Sequence, residues 1–296
     1  MGISLTEARA LFSLRQHGEL GGEILSLGRP EVYISKRELK ALAFTYGQRW
    51  SDDDISHATS TVYAEPLLRL LGFGTIRSLD VSAYQQADII HDLNHPIPEH
   101  LEGTTGFLYG NGTIEHVFDV AAVLKNVVRL VKIGGTVFIA APANGQCGHG
   151  FYQFSPEFFY NFFWVNGFDR VRVYIVGRSY PQRWFRAAAP AALGRRIEFM
   201  TTEPTDIVAI ARKAVNNPGF VYPQQSDYAD ASWHMEPGES EIAHAAWAKR
   251  PPIFSKLLNR TSLTMAVALR YFTGHGMPGV PGHPLFEPIN PLTDAI

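Results

Sequence analysis

The sequence predicts an α/β fold: a largely parallel sheet covered by helices on both faces, with an extension at its C-terminal end. Two observations predict it. Between residues 75 and 211, apolar runs of strand length alternate with helical patterns, which implies crossover connections between parallel strands. Hydrophobic residues fill 46% of the 296 positions and charged residues 18%, ample for a core on both sides of a sheet.

Taken in order, residues 4–17 place Leu5, Ala8, Leu11, Phe12 and Leu14 largely on one side of a helix. Glu23 to Leu27 is a short strand running into Gly28. Ser35-Lys36-Arg37-Glu38 has the form of a capping box, and the helix behind it extends through Phe44. Residues 46–60 are polar and read as loop, whereas Tyr63 to Leu71 has leucines near helical spacing. Thr75 to Val81 is a strand ending near an acid, and Ala87 to Asp92 is a second of the same kind. Thr105 to Tyr109 follows as a third, leading into Gly110-Asn111-Gly112. Val120 to Val131 is a helix, with Lys132-Ile133-Gly134-Gly135 as its stop signal, and Thr136 to Pro142 is an apolar strand. Ser155-Pro156-Glu157 opens a helix, with serine as cap and proline in the first turn, that ends at Asn166-Gly167. Val171 to Val176 and Ile207 to Ala211 complete the strands, with residues 187–195 as a connection. Phe158, Phe159, Phe162, Phe163 and Trp164 are expected to pack into the core. Beyond residue 215 the character changes: Asn216 to Ser240 is loop-like and aromatic, 253–272 suits a helix, and 274–296 is a proline- and glycine-rich arm. The expected division is a core over residues 1–215 and an extension over 216–296.

Composition narrows the function. The formal charge is −2 and the basic residues are scattered, so neither nucleic acid nor a membrane surface is an expected partner. Cys147 is the only cysteine, which fits a reducing compartment and rules out an internal disulfide or a cysteine-based zinc site. It reads as a small neutral filler. The N-terminal stretch lacks the unbroken apolar core of a signal peptide, and no apolar run has the length of a membrane span, so the cytoplasm is the expected location. His91, His95 and His100 lie near Asp92 at spacings that match no usual metal pattern, and no metal is expected.

In sheets of this kind ligands bind outside the carboxyl ends of the strands, where the strand order reverses. Asp80 stands at such an end. An acid there accepts hydrogen bonds from both hydroxyls of a ribose, or else simply caps the following loop. Asp92, after the next strand, can reach an adenine amino group. Gly110 and Gly112 flank Asn111 and let backbone approach a ligand closely. Glu115 and His116 then open a helix, and His116 is a candidate general base because an imidazole exchanges protons near neutrality. In Gly148-His149-Gly150-Phe151-Tyr152, the aromatic rings can wall a pocket, and His149 and Tyr152 can orient a hydroxyl. No Gly-x-Gly-x-x-Gly turn follows the first strand, which argues against a nicotinamide-dependent oxidoreductase.

The runs Gly112 to Phe118 and Val131 to Gly135 resemble the fourth-strand motif and the "lK-x-GG" turn of class I S-adenosylmethionine-dependent methyltransferases. The likeness covers roughly residues 22–213. His149-Gly150-Phe151-Tyr152-Gln153-Phe154-Ser155-Pro156 resembles a subgroup of bacterial methyltransferases seen near polysaccharide and natural-product genes. The resemblance implies a Rossmann-like, seven-stranded sheet whose last strand runs antiparallel, with S-adenosylmethionine as cofactor and methyl transfer to a small molecule, with oxygen as the preferred acceptor. It implies that Gly28 lies near the methionine moiety, that Asp80 holds the ribose and that Asp92 with Leu93 holds the adenine. Asn111 and Gly112 would lie beside the sulfonium, with His116, His149 and Tyr152 on the acceptor side. The sequence departs from the family in Leu25-Ser26-Leu27-Gly28-Arg29-Pro30, which has one glycine where the family has a glycine-rich loop. Gly106-Phe107-Leu108 also replaces a more usual aspartate. The first departure leaves open a binding or scaffold protein of this fold without catalysis. Tyr222, Tyr228, Trp233 and Trp247 in the extension are expected to form a substrate lid or a contact between copies of the chain.

Overall fold

The structure is a computed structural model that describes residues 2–20, 22–179, 182–193, 201, 203–229 and 286–289. The elements run β1 (Gly2–Ile3), α1 (Leu5–Gln16), β2 (Gly22–Leu27), β3 (Glu31–Val32), α2 (Lys36–Thr45), α3 (Asp52–Ser60) and α4 (Glu65–Leu70). They continue with β4 (Phe73–Asp80), β5 (Ile89–Ile90), β6 (Thr105–Asn111), α5 (Val120–Leu130), β7 (Val131–Asn144), α6 (Pro156–Val165) and β8 (Phe168–Gly177). The last are β9 (Trp184–Ala187), α7 (Pro190–Leu193), β10 (Thr205–Lys213), α8 (Ser226–Ala229) and β11 (Phe286–Ile289).

Among the described residues, nine strands form one sheet in the order β11-β9-β8-β10-β7-β6-β2-β4-β5. From β5 to β7 neighbouring strands are parallel, and β10 runs antiparallel to both β7 and β8. Leaving aside β9 and β11, which are added at one end, the core strands lie third, second, first, fourth, fifth, seventh, sixth, with the seventh reversed. This is the Rossmann-like, seven-stranded sheet expected, and β9 and β11 extend one edge of it.

Alternation along each strand explains why both faces are covered. Side chains of period two point to opposite sides of a sheet. Val137, Ile139 and Ala141 of β7, with Ile207, Ala209 and Ala211 of β10, enter the core beneath α5 and α6. Phe138, Ala140, Val208 and Ile210 enter the opposite core, with Leu11, Leu39, Ile55 and Leu67 of α1 to α4. Phe159, Phe162 and Phe163 are buried as expected, whereas Trp164 keeps 41% of its surface exposed.

Some local expectations are corrected. Residues 52–60 form α3 and are not loop, because Ser51 caps it reciprocally with Asp54 and Ile55 and Ala58 reach the core. An acid shorter than the usual Glu closes that box. The expected stop signal at Lys132–Gly135 lies inside β7, where Gly134 takes φ of +81° and the register against β6 shifts. Residues 184–187, next to the expected connection, form β9, and 286–289 of the expected arm pair antiparallel with it. Pro288 is tolerated there because β11 is an edge strand. Cys147 is exposed and fills no core space. Residues 253–272, with Trp233 and Trp247, lie outside the described residues. No helix among the described residues is long and apolar enough to cross a membrane.

One buried side chain ties the sheet's end to a helix. Asn126 of α5 accepts from the Ile97 amide at 3.0 Å and donates to the carbonyls of Leu93 at 3.1 Å and His95 at 2.8 Å. It thereby sets the loop after β5 that carries Asp92. Asn126→Leu leaves the Ile97 amide and the Leu93 carbonyl without this partner, while His91 Nε2 still meets the His95 carbonyl at 3.1 Å, and is expected to cost about 2–4 kcal/mol. Urea denaturation checks it, and a loss under 1 kcal/mol would show that the loop finds other partners.

Candidate active site

The parallel strands β2, β4, β5 and β6 finish side by side, so the loops leaving them share one end of the sheet. At the end of β2, Gly28 takes φ of +80° and is buried, and its amide donates to the Leu79 carbonyl of β4. Arg29 is held on three sides: Nε meets Glu65 at 2.6 Å, Nη1 meets the Gln85 carbonyl at 2.9 Å, and the guanidinium lies 3.8 Å from the Tyr63 ring centre. Pro30 accepts from the Ala64 amide, and the chain passes into β3, not into a helix. β3 pairs with β1, whose Gly2 carbonyl accepts from Tyr109 Oη at 3.3 Å and from Asn111 Nδ2. Thr113 Oγ1 donates to the Leu27 carbonyl at 2.6 Å, bridging the ends of β6 and β2.

Asp80 ends β4 and Asp92 follows β5 by two residues, both half-buried. Asp80 Oδ1 accepts from the Ser82 amide at 3.1 Å. Asp92 Oδ1 accepts from the amide and side chain of Asn94, and these bonds hold its pKa below the usual carboxylate value. Leu93 turns its side chain into the core, 5% exposed.

Beside these groups, at the ends of β6, β7 and β10, lies a cavity of 310 Å³. Asn111, Gly112, Glu115, His116, His149 and Asp206 are among its walls. Glu115 and His116 belong to a single 3-10 turn, Ile114–His116, and not to the start of α5, which Asp119 caps separately. Gly112 makes the turn possible, with φ of +67° and its amide on the Ala140 carbonyl. Gly150, at φ +73°, lies against the same turn so closely that a Cβ would stand 2.7 Å from the Glu115 carbonyl oxygen. The Phe151 amide then donates to that oxygen at 2.7 Å. Close packing of two loops is thus what brings His149 to Glu115.

The Glu115 side chain is 1% exposed, and neither carboxylate oxygen has a hydrogen-bond partner among the described residues. His149 Nε2 is 3.4 Å and His116 Nε2 3.9 Å from its Oε1. The two imidazoles, each about half exposed, are 5.0 Å apart between ring centres. Burial, helped by the charge of Asp206, pushes the Glu115 pKa up to about 7. Burial also raises Asp206 and Glu7 and, together with His149, lowers His116. Gln146 braces the wall: its Nε2 donates to Asp206 at 2.8 Å and its Oε1 accepts from Arg178 at 2.7 Å.

The expected residues therefore fall into two groups. Gly28, Asp80 and Asp92 gather at the ends of β2, β4 and β5, and Asp80 and Asp92 do not line the cavity. Asn111, Gly112, His116 and His149 do line it. Tyr152 stands outside its walls, with its hydroxyl donating to the Phe118 carbonyl at 2.7 Å. Glu7, Gln146, Arg178 and Asp206 escaped the sequence reading. Two signals were present: Glu7 interrupts the apolar side of α1, and Asp206 stands alone before the apolar run of β10.

No family model and no curated protein matches this chain. Among solved structures it is similar to a SAM-dependent methyltransferase of Thermotoga maritima at 13% identity and a TM-score of 0.35, over 70% of this chain and 88% of that one. It is likewise similar to a SAM-dependent methyltransferase of Archaeoglobus fulgidus at 10% identity and a TM-score of 0.36, over 69% and 94%. A third is a phosphoethanolamine N-methyltransferase of Haemonchus contortus, solved with S-adenosylhomocysteine, at 11% identity and a TM-score of 0.39, over 70% and 52%.

Two outcomes are expected at this site. Gly150→Ala places a methyl against the Glu115 turn at a positive φ and should cost about 1–3 kcal/mol in urea denaturation; a neutral effect would mean that the loops part without penalty. For Glu115, a raised pKa means that its contribution to stability is complete below about pH 4.5 and lost as pH rises through about 7. Glu115→Gln removes that dependence, so relative to wild type it should gain on the order of 3 kcal/mol between pH 4.5 and 8. Parallel denaturation profiles for the two proteins in chelator-treated buffer would contradict this.

Proposed function

We propose that this chain binds S-adenosylmethionine and methylates a small molecule, with oxygen as the acceptor atom. The observation that carries this reading is the row of groups at the switch point of the sheet. Asp80 and Asp92 stand at the ends of adjacent parallel strands, beside Gly28, where nucleosides bind in sheets of this kind. In this reading Asp80 receives the ribose hydroxyls, and Asp92 with the backbone of Leu93 receives the adenine. Gly28 lies along the methionine part, and Asn111 and Gly112 border the sulfonium. The bound cofactor supplies an activated methyl group.

The protein's own part is alignment and the exclusion of water. The cavity holds the acceptor between His116 and His149, and an imidazole at that wall takes the acceptor's proton. Tyr152 acts as a positioning residue, because its hydroxyl anchors the loop that carries His149 to Phe118. Residues 1–215 form the catalytic unit and 216–296 a lid or a contact between copies. In support, Lys125 of α5 donates to Tyr222 Oη at 2.6 Å, and Asn166 bonds both backbone groups of Val221.

A second reading, a binding or scaffold protein that keeps the fold without catalysis, is favoured by one observation. The Gly2 carbonyl engages Asn111 and Tyr109, and Arg29 is held by Glu65 and the Gln85 carbonyl, where the methionine part would need room. Calorimetry with S-adenosylhomocysteine on the full chain separates the two. The first reading expects saturable binding, weakened at least about tenfold by Asp80→Ala. No heat at millimolar ligand would overturn it in favour of the second. Where binding holds, His149→Ala or His116→Ala should lower turnover in a screen of sugar and phenol acceptors with cofactor affinity unchanged.

A further inference from the structure

We propose that Glu115, His116 and His149 form a binding site for one divalent first-row transition cation, of the zinc or iron(II) type. The donors are two imidazoles and one carboxylate, a set that suits these ions and leaves coordination positions open. Their ligand atoms all lie within 4.8 Å of one another.

The geometry is near that of a bound ion. Two ligand atoms each about 2.1 Å from a tetrahedral cation lie about 3.4 Å apart. The Glu115–His149 separation of 3.4 Å meets this already, and the Glu115–His116 separation of 3.9 Å needs a closure of about half an ångström. Both imidazoles stand on half-exposed side chains, where a small rotation about the Cα–Cβ bond covers that distance.

A second observation points to a ligand independently. Glu115 is almost wholly buried and aimed into the cavity, yet neither oxygen has a hydrogen-bond partner among the described residues. A buried carboxylate in that state is costly unless something positive meets it. Neither imidazole does so by hydrogen bonding, since 3.4 and 3.9 Å exceed the reach of a normal N–H···O bond. The surroundings add to the demand. Glu7 and Asp206 face the same cavity, and Arg178, the one Lys or Arg among its described walls, is engaged with Asp206 and Gln146. A divalent ion at the three donors satisfies the carboxylate and offsets the other acids. The open positions point into the 310 Å³ space, where a water or a substrate oxygen completes the shell.

With the ion bound, the water it would hold, made more acidic by the cation, takes over from the imidazoles the role of base. The site itself does not depend on methyl transfer, and its test is separate. Full-length protein is stripped with EDTA, desalted and titrated with cobalt(II) followed by visible absorption, then with zinc(II) by calorimetry. The expected result is one saturable equivalent with ligand-field bands in the visible, displaced by zinc. His116→Ala, His149→Ala and Glu115→Gln should each weaken cobalt binding at least tenfold, whereas the double variant His91→Ala/His95→Ala should leave it unchanged. His116 and His149 are half exposed, so their variants retain the fold, and circular dichroism of each metal-free protein verifies this. Absence of cobalt binding by the folded wild type would overturn the site. So would binding abolished by the His91/His95 variant but not by substitutions at the three donors. A chain that binds cobalt but not S-adenosylhomocysteine keeps the metal site and loses the methyltransferase reading.

Discussion

A sheet buried on both faces leaves its chemistry only one place to go. Along the middle of β6, β7 and β10, over residues 107–109, 137–141 and 207–211, successive side chains enter one core and then the other, which leaves that stretch closed to charged groups. Reactive residues therefore collect where the strands stop. The carboxyl ends of β2, β4, β5, β6 and β7 lie together, and the acids, amides and imidazoles described above occupy the turns that leave them. Position in the sheet thus determines which residues meet, far more than position in the chain.

Within that edge the two strand-end acids and the cavity are distinct. Asp80 and Asp92 are braced by short local turns and remain half-buried. The cavity, in contrast, is built by contacts between remote segments: β1 against β6, the 146–154 loop against the 3-10 turn, and Gln146 against β10. The first group can be held by almost any chain that makes the strands. The second needs several segments to agree within a few tenths of an ångström, and Gly150 is where that agreement is tightest.

This difference explains what the sequence made legible. Strand ends were readable because alternation, caps and glycines are local signals, so β4, β6, β7, β10 and the acids at Asp80 and Asp92 were found. Helix α3 was not, since its capping acid is Asp54 and only Ile55 and Ala58 mark its buried side. β9 and β11 were not, since each has only four residues, and the partner of β11 is distant in sequence. His116 and His149 were recognised singly, but nothing in their spacing reveals that Gly150 folds one loop onto the other. The placement of β1 over the end of β6 is equally silent in the sequence, because it depends on a single backbone carbonyl at Gly2.

That last contact has a consequence for the order in which the molecule assembles. Gly2 and Thr6 are separated by more than a hundred residues from the side chains that meet them, the separation being 107 for Tyr109, 109 for Asn111 and 176 for Gln182. Contacts of such long sequence separation form slowly, because a long loop has to close before they are rewarded. β1 can pair with the nearby β3 early, but the wall it supplies is completed only after the central sheet brings these later side chains to it. Integrity of this corner is accordingly a late checkpoint of folding, one that reports whether both halves of the sheet have come together.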